Sequence, residues 1–158
     1  MDDAALDPLT GKVLAIGFLS DAGFFVGEGD EREMLKSFWA SIIDNGVFQK
    51  QLIGFNIFSF DLPFLIKRSW KHGITIPIGV RRGRYWGDHI TDLREVWTMG
   101  DRYAVGSLDT IAKHLGLRGK SGNGKDFAKL WADDREKAIS YLKCDVELVK
   151  EIYERIAL

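Results

Sequence analysis

Apolar and polar positions follow one another along this chain in two rhythms, and the switches between them outline its elements. Residues 1–11, MDDAALDPLTG, are polar and turn-rich, with Asp7-Pro8 and Thr10-Gly11 marking a loop. KVLAIGFL, Lys12 to Leu19, is apolar enough for a buried strand. Ser20-Asp21-Ala22-Gly23 then reads as a turn, and FFVGEG returns as the second arm of a hairpin. Beyond it the period becomes helical. Asp30 and Glu33 have capping-box spacing, and Met34, Leu35, Phe38, Trp39, Ile42 and Ile43 recur on one stripe to about Asp44. Gln51 to Phe55 reads as the next strand, Asp61 to His72 as the next helix, and Trp86 to Asp92 as a further strand. Asp92 stands directly before LREVW, which favours a helix cap over a catalytic acid; Ser107 reads as the cap of SLDTIAKHLG, with Gly116 as its stop. This order is that of an α/β fold with a mixed sheet flanked by helices. No repeat, low-complexity run or long linker divides it, so a single domain over 1–158 is expected.

Composition narrows the chemistry. A chain of 158 residues with 46% hydrophobic content is long enough to bury a proper core. Its 22 basic and 23 acidic side chains leave a formal charge of −1, so a nucleic-acid partner would be held by local basic patches and metal ions rather than by the overall field. Cys144 is the only cysteine, which excludes an internal disulfide or a cysteine-based zinc site and fits a reducing compartment. No apolar run reaches membrane-span length, and Met1 is followed by two aspartates where a secretory signal needs a basic start. A cytoplasmic location is expected. His72, His89 and His114 share no metal-ligand spacing, and no nucleophile elbow or cysteine–histidine pairing is present.

Two basic stretches have alternative readings. Gly119 to Lys125, GKSGNGK, imitates a phosphate loop, but Asp126 stands where a magnesium-binding hydroxyl is required and a helix precedes it where a strand is required. The glycine-rich loop with Lys120 and Lys125 suits either a nucleic-acid backbone or a solvated connection. Arg81, Arg82 and Arg84 with Tyr85 and Trp86 form the densest basic and aromatic patch, again either a backbone-and-stacking surface or plain exterior.

The carboxylates carry the sharper signal. In IGFNIFSFDLPFL, Ile53 to Leu65, an apolar strand gives way to a turn and then to a helix that opens with Asp61. One carboxylate thus sits at a strand-to-helix junction, where α/β folds keep ligands and where a simple cap would also sit. Tyr141 and Asp145, in YLKCD, are four apart in a helical segment, so about 40° of rotation separates them and both project from one face.

GFNIFSFD followed by YLKCD resembles the second and third motifs of the tyrosine-bearing DEDD 3′-to-5′ exonucleases (DEDDy). The likeness is to the proofreading exonuclease domain of B-family DNA polymerases and its stand-alone bacterial relatives. SLDTIAKHLGL and the lysine–glycine loop after it are similar to the stand-alone group as well. The resemblance implies a ribonuclease H-like fold and hydrolysis of phosphodiester bonds at the 3′ end of single-stranded DNA. It implies two Mg2+ or Mn2+ ions about 3.5 to 4 Å apart, which neutralise charge on the phosphate and activate a water. Carried over, Asp61 and Asp145 are metal ligands, Tyr141 orients the attacking water, and Asn56 shapes the turn or touches the terminal nucleotide; Phe60, Lys120 and Lys125 are further candidates for contact with the nucleic acid.

The first motif departs from the pattern. Aligning Leu6-Asp7-Pro8 places Asp2 or Asp3 near the expected glutamate, as candidate metal ligands, and puts the leading aspartate and the first strand before Met1. A sheet lacking its central strand leaves backbone groups unpaired and an edge open, so a homodimer is a further expectation. The alternative function is a catalytically compromised nuclease-like module that binds nucleic acid or a protein partner without cutting. A generic α/β domain whose carboxylates are caps and surface charges is the third reading.

Overall fold

The computed structural model describes residues 6–44, 47–76, 89–120, 122 and 126–156. They fall into two compact units. One holds the described residues up to Ile16 together with Gly27 to Thr91, and the other holds Gly17 to Val26 together with those from Asp92 onward. Among the described residues the strands pair in three two-stranded sheets, and no helix is long and apolar enough to cross a membrane.

The hairpin forms as its turn residues dictate. Strand β1 (Ala15–Ser20) and strand β2 (Gly23–Glu28) are joined by only two residues, which forces an antiparallel return. Gly23 adopts φ +119, a conformation that side chains disfavour, and Phe18 stacks on Phe25 with ring centroids 5.4 Å apart. The strand starts at Ala15 rather than at Lys12. The reason is visible at Val13, whose backbone N–H donates to Glu31 Oε1 (2.7 Å) instead of to a neighbouring strand.

Helix α1 (Glu31–Ile42) is capped by Asp30, whose Oδ1 accepts from the Glu33 N–H at 3.0 Å. Only half of the anticipated box is used, because the Glu33 carboxylate turns to Lys36. Met34, Leu35, Phe38, Trp39 and Ile42 make the buried stripe. The helix stops at Ile42, two residues short of the sequence expectation. Ile43 turns extended while its N–H still reaches Trp39 O. Two adjacent β-branched residues crowd a helical turn and suit a strand, and Ile43 and Asp44 become β3 (Ile43–Asp44), antiparallel to β4 (Val47–Phe48) in the register Ile43 to Phe48.

Next come β5 (Leu52–Gly54) and helix α2 (Asp61–Lys71), which buries Leu62, Leu65, Ile66, Arg68 and Ser69. Trp39 Nε1 donates to Ser69 Oγ (2.9 Å), and that hydroxyl donates to Leu65 O (2.7 Å), so the polar atoms at this helix contact are satisfied. Leu35, Leu62 and Ile76 are almost wholly enclosed in this core. An ion cluster closes the unit: Glu31 takes a two-pronged contact from Arg68, an N–H from Val13, and His72 Nε2 at 2.8 Å. Burial pushes the Glu31 carboxyl up, but the hydrogen bonds from Arg68, Val13 and His72 outweigh it and hold the pKa down at about 2. His72, which shares no metal-ligand spacing with the other histidines, is one wall of this cluster.

Strand β6 (Ile90–Asp92) pairs with β5, and the Leu52 N–H donates to His89 O at 2.7 Å. Asp92 caps helix α3 (Leu93–Thr98), accepting from the Arg94 N–H at 2.9 Å, as its position before LREVW indicates. Ser107 caps α4 (Leu108–His114), and Gly116 follows at φ +74. Helices α5 (Phe127–Asp133) and α6 (Arg135–Ile156) complete the second unit. Its core is Leu93, Leu108, Ile111, Ala112, Ala138, Leu148 and Ile152.

Candidate active site

In the first unit, the candidate residues occupy the turn between β5 and α2. The strand ends at Gly54, where any Cβ would run into the Ile57 side chain. Asn56 adopts φ 60, a left-handed conformation that asparagine tolerates better than most residues. Its carbonyl accepts from the Phe60 N–H (3.2 Å), and the Leu62 N–H bonds Ile57 O (2.9 Å). Phe60 is the N-cap and makes no side-chain capping bond. Asp61 is therefore the first residue of the helix rather than its cap, and its exposed carboxylate stands at the positive end of the helix dipole. The Phe60 ring is 38% exposed, with its centroid 5.8 Å from that of Phe64.

In the second unit, α6 buries Ala138, Tyr141, Leu148 and Ile152. Asp145 falls on the same stripe, at a register where an apolar residue would continue the core. Tyr141 is 9% exposed and its ring meets that of Phe127 at 6.1 Å. Lys120 reaches in from the loop after α4. Its ammonium sits 2.8 Å from Asp145 Oδ2 and 5.4 Å from the centre of the Tyr141 ring. Two atoms of this group, the Tyr141 hydroxyl and Asp145 Oδ1, are buried without a well-formed hydrogen bond among the described residues, although the Lys120 ammonium and the Asp145 carboxylate both act on the phenol. Native interiors leave few such groups, so a pair four residues apart marks a place prepared for something polar.

The charges follow from this geometry. Burial opposes the Lys120 ammonium, but the Asp145 carboxylate more than compensates and raises the lysine pKa above its ordinary value. Burial pushes the Tyr141 phenol up as well, the nearby ammonium pulls against that, and the Asp145 charge adds to it, with a net rise. The phenol is thus a neutral donor near neutral pH. Asp109 on α4 anchors the loop: Oδ1 accepts the Lys120 N–H (2.8 Å) while Oδ2 takes the Lys113 ammonium (2.7 Å). These contacts, Lys113 foremost, hold its carboxyl below the usual range.

The structure brings Tyr141, Asp145 and Lys120 together, and it sets Asn56, Phe60 and Asp61 along one turn in the other unit. Asp2, Asp3 and Lys125, like the basic patch at Arg81 to Trp86, lie outside the described residues. Among the described residues no three His, Cys, Asp or Glu side chains gather in metal-holding geometry. The unpartnered Asp145 Oδ1 nevertheless suits a hard divalent cation, which takes carboxylate oxygens by preference. Sequence reasoning placed Lys120 on nucleic acid or in solvent and passed over Asp109. Local periodicity holds no record of a loop lysine folding back onto a helix far along the chain.

The fold and the sequence both resemble known proteins. Fourteen solved chains resemble the fold. One of them is the family B DNA polymerase from the hyperthermophilic archaeon Pyrobaculum calidifontis, with a TM-score of 0.71 at 17% identity over 95% of this chain. A ribonuclease H-like α/β fold is consistent with that likeness. The chain spans 22% of that polymerase's length. Comparison with curated protein sequences finds no match. Residues 13–157 match the family model described as a predicted 3′-5′ exonuclease related to the exonuclease domain of PolB, and the chain therefore belongs to that family.

Proposed function

We propose that this protein is a metal-dependent exonuclease that shortens single-stranded DNA from its 3′ end. The observation that supports this most is the burial of the Tyr141 hydroxyl and Asp145 Oδ1 on one face of α6 without a well-formed hydrogen bond among the described residues, in a chain of exonuclease lineage. Asp145 and Asp61 are each proposed as ligands for Mg2+ or Mn2+, and so is Asp2 or Asp3. When bound, two such ions supply charge neutralisation at the phosphate and an activated water. The neutral Tyr141 hydroxyl holds the attacking water in line with the scissile bond. The exposed Phe60 ring offers a base a stacking surface, and Asn56 lies one turn away to meet the terminal sugar or phosphate. The Lys120 contact with Asp145 favours a second reading, a nucleic-acid-binding module that does not cut, because it neutralises a carboxylate the chemistry needs free.

Digestion of 3′-labelled and 5′-labelled single-stranded oligonucleotides with Mn2+ or Mg2+ separates the two. The 5′-labelled strand is expected to give a ladder shortening from the 3′ end, while the 3′ label is released at once as a mononucleotide. Binding of the oligonucleotide with no cleavage under either metal would instead establish the second reading.

Tyr141 allows a sharper check. The Tyr141 hydroxyl makes no well-formed hydrogen bond among the described residues, so Tyr141→Phe is expected to leave the melting temperature within a few degrees of the parent. Turnover is expected to fall by about 100-fold, the scale of a lost water-positioning group. A variant that melts lower yet digests DNA at the parental rate would remove Tyr141 from the mechanism.

A further inference from the structure

Asp145 has two oxygens in two different situations. Oδ1 is buried with no hydrogen-bond partner among the described residues, and Oδ2 is held by Lys120 at 2.8 Å. The loop that delivers this lysine is fixed at its root. Asp109 grips the Lys120 N–H, and at Gly119 a Cβ would collide with that same Asp109 carboxylate and with Lys113 Cε. Further along, a Cβ on Gly122 would press the Tyr141 ring at 3.2 Å. The lysine side chain beyond this anchored backbone is long, rotatable and 22% exposed. Backbone placement is thus firm while the ammonium keeps a route outward.

We infer that Lys120 is a displaceable counter-ion, built to neutralise Asp145 until a divalent cation takes its place on that carboxylate. The inference rests on the proposed role of Asp145 as a metal ligand. A carboxylate cannot keep an ammonium in contact and bind a divalent ion at full strength, since the two cations repel across a few ångströms of poorly solvated space. Occupancy by the ion and the Lys120 contact therefore oppose one another. The lysine spares the fold an uncompensated buried charge when no ion is bound, and it raises the metal concentration needed to fill the site. Asp109 is a positioning residue in this device, since it holds the lysine within reach of Asp145.

Mn2+ binding, followed by the loss of the free-ion electron paramagnetic resonance signal, tests this without any catalysis. Lys120→Met is expected to bind Mn2+ about 10-fold tighter than the parent, the scale on which groups around a metal ligand alter affinity. Lys120→Arg, which keeps the cation, should stay near the parent. Lys143→Met serves as control, because Lys143 lies on α6 two residues from Asp145 but pairs with Glu147. If Lys143→Met tightens binding as much as Lys120→Met, the effect is the general field of the protein and the inference fails. Asp145→Asn distinguishes the two levels of failure. Binding that depends on Asp145 but is indifferent to Lys120→Met overturns the counter-ion alone. Binding that survives Asp145→Asn, or no binding in the parent and in Lys120→Met alike, overturns the metal-ligand role beneath it.

Discussion

Asp145→Asn is expected to reduce exonuclease turnover by more than about 100-fold, since groups that merely surround a metal ligand already cost 10 to 100-fold when removed. Asparagine is the informative replacement. Its carbonyl can still accept from the Lys120 ammonium, which in the parent sits 2.8 Å from Oδ2 with both partners less than a quarter exposed. Alanine would leave that half-buried ammonium without its carboxylate, so a lost activity would be confounded with a loosened fold. With asparagine the shape and the hydrogen bond persist while the negative charge disappears. The measurement is the rate of 5′-labelled oligonucleotide shortening beside a thermal melt. Parental turnover in Asp145→Asn would take Asp145 out of the reaction. A large loss of turnover with a melting temperature within a few degrees of the parent is the outcome that the proposed role requires.

What the sequence discloses about this molecule is what short-range periodicity can encode. Tyr141 and Asp145 are four apart in a helical run, and they do project from one face of α6. The caps at Asp30, Asp92 and Ser107 stand where their neighbours' spacing indicates. The strand-to-helix junction at Asp61 is also readable, but its detail is not. The left-handed Asn56 places Phe60 at the N-cap and moves Asp61 inside the helix, a geometry that composition alone does not distinguish from a cap. Element ends shift wherever a distant partner intervenes. Val13 is drawn out of the first strand by Glu31, and Ile43 leaves the helix to pair with Phe48. The same limit hides the Lys120 contact with Asp145 and the Arg68 contact with Glu31. Both join residues far apart in the chain, and nothing in either neighbourhood marks the other.

The second large effect concerns that Glu31 cluster and stability rather than chemistry. Arg68 is 3% exposed and lays its guanidinium against Glu31 through Nε to Oε1 (2.8 Å) and Nη2 to Oε2 (2.6 Å), with Nη1 donating to Pro8 O at 3.1 Å. Glu31→Ala removes the only carboxylate this buried cation touches among the described residues. It also strips the Val13 N–H and His72 of their acceptor. The expected loss is about 3 to 5 kcal/mol, the range for breaking one half of a buried pair, which corresponds to a melting temperature lower by roughly 10 °C in a chain of this size. The double variant Glu31→Leu with Arg68→Met removes both charges together and is expected to recover most of that loss, because the cost lies in the stranded cation rather than in the missing pair. Acid titration supplies an independent check. The Glu31 carboxyl lies at about 2 in the fold against an ordinary 4.5, so its contribution is complete above about 4.5 and is lost as pH falls from there towards 2. A depression of that size corresponds to about 3 kcal/mol. Glu31→Gln, which has no proton to gain, should flatten the fall in denaturant-measured stability across that window. A parental acid slope in Glu31→Gln would place the titrating group elsewhere, and a Glu31→Ala protein as stable as the parent would show that Arg68 finds other partners at no cost.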